Sequence, residues 1–143
     1  MFKLQTIIQN LNIILNLSII IMFISDKKFI DKFTFFERNT ESSKIIKRYP
    51  DRIPVICEKN RHDNSCPEID KHKYLVPYNL TIGQFIYVIR KRIRLPASSA
   101  LFLFIGEEAI LLPISSEMQD VYDRYKNKDG FLYILYSREN VFG

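Results

Sequence analysis

Residues 73–94 read KYLVPYNLTIGQFIYVIRKRIR, and the fold turns on them. Lys73, Tyr74, Leu75 and Val76 suit an extended strand, and Pro77 ends it because proline supplies no ladder donor. Thr81 stands three residues before Gln84, the spacing of a capping box, in which each side chain satisfies the other's free backbone amide. Leu80 and Phe85 fall where a hydrophobic staple would join the incoming chain to the first helical turn. Ile82, Phe85, Ile89 and Ile93 then recur at helical spacing, with Tyr87, Arg90, Lys91 and Arg94 on other faces. A strand is thus predicted directly before an amphipathic helix whose inner face needs a sheet to cover.

Towards the C-terminus, Pro96, Ala97, Ser98 and Ser99 make a turn. LFLFI at 101–105 is a continuous apolar run, as in a strand covered on both faces. Gly106, Glu107 and Glu108 turn the chain into a short strand at 109–112, ended by Pro113. Ser116 and Gln119 repeat the capping-box spacing, and Met118, Val121, Tyr122 and Tyr125 form a second helical stripe. Asp129 and Gly130 end that helix, and FLYILY at 131–136 is a last, central strand.

Towards the N-terminus, residues 60–71 are polar, aperiodic and contain Pro67, so they form a loop. IPVICEK at 53–59 is the first strong strand, with Pro54 marking an early strand position or a sheet edge. Residues 26–49 read as helix: Phe29, Ile30, Phe33 and Phe36 give it an apolar face, and the Thr34 to Glu37 spacing could cap a second segment. Lys47 and Arg48 sit at its C-terminal end, where the helix dipole favours positive charge. The first 25 residues differ from all that follow. They are rich in Ile and Leu, carry Lys3 as their one charge before Asp26, and place Gln5, Gln9, Asn12 and Asn16 on a narrow uncharged stripe. Three readings of them stand: a signal-like or membrane-inserting segment, an interfacial helix, or a poorly ordered extension. The organisation expected is an N-terminal extension at 1–28 and one domain at 29–143. Two strands, a helix, two strands, a helix and a final strand fit an α+β, ubiquitin-like β-grasp with additional N-terminal helices.

A chain of 143 residues that is 47% hydrophobic and 26% charged can bury an ordinary core in one domain. Its formal charge of +5 suits acidic peptides or anionic lipid, and equally an ordinary basic surface. Nucleic acid is disfavoured, because the basic residues are not interleaved with exposed aromatics. Cys57 and Cys66 lack metal or disulfide spacing, and His62 and His72 have no carboxylate or cysteine partners, so neither a zinc site nor a disulfide framework is expected. Cys57 lies in an apolar run and reads as a buried free thiol. No phosphate loop, nucleophile elbow or paired-carboxylate setting occurs, so no catalytic residue, metal or cofactor is expected, and no enzyme.

The words KYLVP, LTIGQF and IRKRIRL, together with YPDRIPVI at 49–56 and FLYILYSRENVFG at 131–143, carry a resemblance. The chain resembles the ubiquitin-like modifiers of autophagy, the family of the GABA-receptor-associated protein and the microtubule-associated light chains. That resemblance implies conjugation of Gly143, through E1-like and E2-like enzymes, to phosphatidylethanolamine. It also implies a protein that is first cytoplasmic and then associated with an autophagosome or other organelle membrane. Because the chain ends on Gly143, no trimming step is expected. The resemblance further implies that a strand edge binds short motifs with an aromatic residue, two arbitrary residues and an aliphatic one. Glu41, Ile45, Pro54, Lys73, Leu75 and Phe131 match the aromatic-accepting pocket. Tyr74, Val76, Pro77, Leu80, Phe85 and Val88 match the aliphatic-accepting one, and Lys71, Arg90 and Arg92 supply neighbouring positive charge. The chain departs from the family by one extra residue in the loop at 60–67, about two near 106–112, and the N-terminal extension. The alternative is an unconjugated, membrane-associated peptide-binding adaptor of the same fold.

Overall fold

The computed structural model describes residues 2–138. The chain divides into two units, residues 1–34 and 35–143. The first holds α1 (Phe2–Asp26) and the short α2 (Phe29–Lys32). On α1, Leu4, Ile7, Leu11, Ile14 and Leu17 are all exposed. Among the described residues, no helix is long and apolar enough to cross a membrane. The single helix expected over 26–49 is in fact broken: Phe33 is extended, and a new helix starts after Thr34.

The second unit contains α3 (Phe35–Arg48), β1 (Arg52–Lys59), β2 (Lys73–Pro77), α4 (Ile82–Ile93), β3 (Phe102–Ile105), β4 (Ile110–Leu111), α5 (Met118–Tyr125) and β5 (Leu132–Ser137). The five strands form one mixed sheet in the order β2-β1-β5-β3-β4. β1 runs antiparallel to β2 and parallel to β5, so β5 is central, as its apolar run predicts. Pro54 lies in β1, opposite Leu75, and β1 is not an edge strand. The proline is tolerated because the ladder with β5 begins only at Val55.

Side-chain alternation divides the two faces of this sheet. On one face, Val55, Cys57, Tyr74, Val76, Leu103, Leu132, Ile134 and Tyr136 join Ile82, Phe85, Ile89 and Ile93 of α4 and Met118 and Val121 of α5 in a single core cluster. The other face carries α3, which packs against β1. Ile56, Phe104 and Phe131 are fully buried outside that cluster.

The start of α4 forms as its sequence predicts. Thr81 accepts a hydrogen bond from the Gln84 amide, and the Gln84 side chain accepts one from the Thr81 amide. Its end is closed by Arg94 in the left-handed region at φ 56°. The second capping box does not form. The residue before α5 is Glu117, which makes no side-chain cap, and the Gln119 side chain bonds Asp123 instead. The reason is tertiary: Met118 and Gln119 donate their amides to the carbonyls of Leu80 and Tyr78, at 2.8 and 2.9 Å. The free donors of the α5 N-terminus are thus satisfied by the loop that leads into α4.

Candidate functional site: the β2 edge and its two flanks

β2 is an edge strand, and its register fixes which way its backbone points. Cys57 receives a bond to its amide from the His72 carbonyl, and the Tyr78 amide donates to Asp51. Residues 72, 74, 76 and 78 therefore pair inward with β1, and the backbone groups of Leu75 point outward. The Leu75 carbonyl meets the Arg52 guanidinium at 3.4 Å. A sheet edge of this kind can take a further strand.

The same alternation sends neighbouring side chains of β2 to opposite faces. Lys73, Leu75 and Pro77 lie on the α3 side, while Tyr74 and Val76 turn into the core beneath α4. On the α3 side, the Lys73 ammonium pairs with the Glu41 carboxylate, which bridges β2 to α3. Ile45 is partly exposed on the same helix, Leu75 is 37% exposed, and Pro54 and Phe131 are buried. On the α4 side, the rings of Tyr74 and Phe85 meet edge to face with centroids 5.6 Å apart. Leu80 is partly buried against the core, and Val88 is 40% exposed. Burial, then the neighbouring Cys57, pushes the Tyr74 phenol well above its usual range. Its hydroxyl is the buried side-chain polar atom without a hydrogen-bond partner among the described residues.

The structure thus brings the two expected sets to the two flanks of one edge strand. Five of their members, Pro54, Tyr74, Val76, Phe85 and Phe131, are core residues that support the flanks from beneath. The surface of the flanks is left to Glu41, Ile45, Lys73, Leu75, Pro77, Leu80 and Val88. The basic residues divide. Arg92 is exposed and bonds Asp70 at 3.0 Å, and the Lys71 ammonium stands 5.1 Å from the Tyr74 ring centre. Arg90 turns to the Pro96 carbonyl at the end of α4. Val88 and Arg92, with Asp70, Tyr87, Lys91 and Arg94, line a shallow groove of about 450 Å³. Asp70 and Tyr87 escaped the sequence reading, since neither lies in a motif and the fold alone brings Asp70 to α4. Gly143 lies outside the described residues. Cys57 is a buried free thiol, raised far above the usual thiol range by burial and then by the Glu58 carboxylate. Among the described residues, no group of three His, Cys, Asp or Glu side chains could hold a metal ion.

A cluster that no motif announces holds α3 in place. Arg38 pairs with Asp129, and the Tyr133 hydroxyl donates to the same carboxylate at 2.6 Å. The Ser42 hydroxyl bonds the Asp129 carbonyl, and the Phe131 amide donates to Asp129 Oδ1 at 2.9 Å. Burial pulls the Arg38 guanidinium down, but its bonds to Tyr133 and Asp129 hold it above its ordinary value. Gly130 sits against this contact at φ 92°, where a Cβ would collide with the Ser42 side chain.

A five-stranded mixed sheet with a helix across one face, an additional helix on the other and an open edge at β2 defines a ubiquitin-like protein of the β-grasp class. A family model described as "Autophagy protein Atg8 ubiquitin like" matches residues 37–143. "Autophagy-related protein 8" of Schizosaccharomyces pombe is 56% identical over 117 residues, covering 81% of this chain and 93% of that protein. The protein of the same name from Pichia angusta is 55% identical over 116 residues, covering 81% and 90%. The crystal structure of Trypanosoma brucei ATG8 superposes with a TM-score of 0.72 at 46% identity, over 78% of this chain and 94% of that one. The chain belongs to the Atg8 family of autophagy ubiquitin-like proteins.

Proposed function

We propose that this protein is a modifier joined through the Gly143 carboxylate to the amine of phosphatidylethanolamine by E1-like and E2-like enzymes. It passes from the cytoplasm to autophagosome-type or other organelle membranes and there recruits partners along β2. In this reading it is no enzyme and needs no cofactor. Its chemistry is one carboxylate, and the rest is binding.

The geometry of β2 carries the recruitment half. A peptide pairing with the edge continues the sheet, and its side chains alternate between faces. Residues three apart in such a peptide point to opposite faces. An aromatic-x-x-aliphatic motif therefore sends its first anchor to the flank of Glu41, Ile45 and Leu75, and its second to the flank of Leu80 and Val88. The odd spacing of the motif follows from the parity of the strand. Exposed Lys71 and Arg92 suit acidic residues beside the motif.

Two variants test the two halves separately. Leu75→Ala removes an exposed apolar wall worth about 1–2 kcal/mol to a bound peptide, so affinity by fluorescence anisotropy should fall roughly tenfold. Unchanged affinity would refute the edge as the binding site. Deletion of Gly143 should abolish the lipidated band in a gel-shift assay while peptide affinity stays at the wild-type value. A deletion protein that still shifts would refute the conjugation. The unconjugated adaptor has one observation in its favour, the exposed apolar side chains of α1. Intact mass of the protein from its own cells decides between the two by the presence or absence of lipid on its last residue.

A further inference from the structure

The loop at 60–67, where the chain departs from its family by one residue, contains an aspartate that the peptide site does not use. Asp63 is buried, and its two oxygens face two different parts of the chain. Oδ1 accepts from the Ser65 amide at 2.9 Å, the Ser65 hydroxyl at 2.6 Å and the Cys66 amide at 3.2 Å. Oδ2 accepts from the Ser137 hydroxyl at 2.8 Å and the Arg138 amide at 2.6 Å. Ser137 is the last residue of β5, and Arg138 follows it directly. The loop is itself fixed to β5, because Asn60 donates its amide to the Tyr136 carbonyl at 2.9 Å and the Tyr136 hydroxyl donates to Pro67 at 2.8 Å. The Arg138 guanidinium completes the contact, reaching the Ser65 carbonyl at 3.4 Å and the Ser99 hydroxyl at 3.2 Å.

We infer that Asp63 is a positioning residue that fixes the point at which the C-terminal tail leaves the domain. Five residues, 139–143, separate that point from the terminal carboxylate, a reach of at most about 17 Å. With the exit held, the volume that Gly143 can search is set from one fixed origin. With the exit loose, Ser137 and Arg138 join the tail, and an enzyme cleft must order a longer segment on capture. The effect on conjugation rests on the reading of Gly143 given above, whereas the clamp itself does not.

Asp63→Asn is the discriminating variant. Its one carbonyl oxygen can still serve the three donors at the Oδ1 position, while its NH2 group then faces the Arg138 amide, donor against donor. Ser137→Ala is a milder variant that removes a single donor from the same side. In the full chain, amide hydrogen exchange at Arg138 should accelerate at least tenfold in D63N, with Ile134 in mid-strand unchanged. Trypsin cleavage after Arg138 should accelerate to a similar degree. In reconstituted conjugation, D63N should lower kcat/KM three- to tenfold through KM, at an unchanged maximal rate. Unaltered exchange and cleavage in both variants would overturn the clamp. A loosened exit with unaltered kinetics would overturn its role in positioning. If the wild-type protein is not conjugated at all, the Gly143 reading fails, and exchange and proteolysis still decide the clamp.

Discussion

Replacing Arg38 by methionine tests the attachment of α3, and with it the first flank of the peptide site. The Arg38 side chain is 10% exposed and that of Asp129 is fully buried. Deleting one partner of such a pair leaves an uncompensated buried charge, a loss of about 3–5 kcal/mol. Asp129 would keep the Tyr133 hydroxyl and the Phe131 amide, which places the expected loss near the lower limit, at about 3 kcal/mol. For a folded unit of this size that corresponds to a fall in Tm of roughly 10–15 °C. Urea unfolding followed by circular dichroism measures it directly. Because α3 carries Glu41 and Ile45, peptide affinity should fall in parallel, with the aromatic anchor affected more than the aliphatic one. The double variant R38M/D129N removes the orphaned charge and should recover more than 1 kcal/mol relative to R38M, a margin that follows from the cost of an unpaired buried ion. An R38M protein within about 1 kcal/mol of wild type, or a double variant no more stable than the single one, would refute the reasoning.

Other consequences of the structure can be measured in the same way. Thr81→Ala removes the hydroxyl acceptor at the start of α4 and should cost about 1 kcal/mol in urea unfolding, leaving the α5 start intact because that is held by backbone carbonyls. Gly130→Ala places a Cβ in the left-handed region and against Ser42, and should cost at least about 1–3 kcal/mol. Ser42→Ala should recover part of that loss in the double variant, which calorimetry would detect. Asp63 carries a pH prediction. Burial raises its pKa, but the bonds from Ser65, Ser137 and the Arg138 and Ser65 amides outweigh it, and the carboxyl is held well below the usual carboxylate range. A folded value below the unfolded value of about 3.9 means that this stabilisation is fully present above pH ~4 and is lost as pH falls towards the folded value. The stability difference between wild type and D63N should therefore be constant from pH 5 to 7 and shrink below about pH 4.

What the sequence determined by itself are the features written within a few residues of one another. The Thr81 and Gln84 box, the stop at Pro77, the 3.6-residue stripe of α4 and the continuous apolar run of the central strand each act over one turn or one pleat. The chain spells them out locally, and the structure repeats them. The family words of the edge strand were legible for the same reason, and so were the side chains of the two flanks. The limits of that legibility are as specific. The spacing of Ser116 and Gln119 matches that of Thr81 and Gln84, yet only the second pair forms a box, because Leu80 and Tyr78 reach the α5 amides first. No local pattern records Arg38 against Asp129, 91 residues apart, or Asp63 against Arg138, 75 apart. Partners so distant meet only after the sheet has closed the intervening chain into loops, and their mutual burial, rather than their identity, gives them their strength. The tertiary structure alone therefore decided which flank each β2 residue serves, how α3 is held to the sheet, and where the tail leaves the domain.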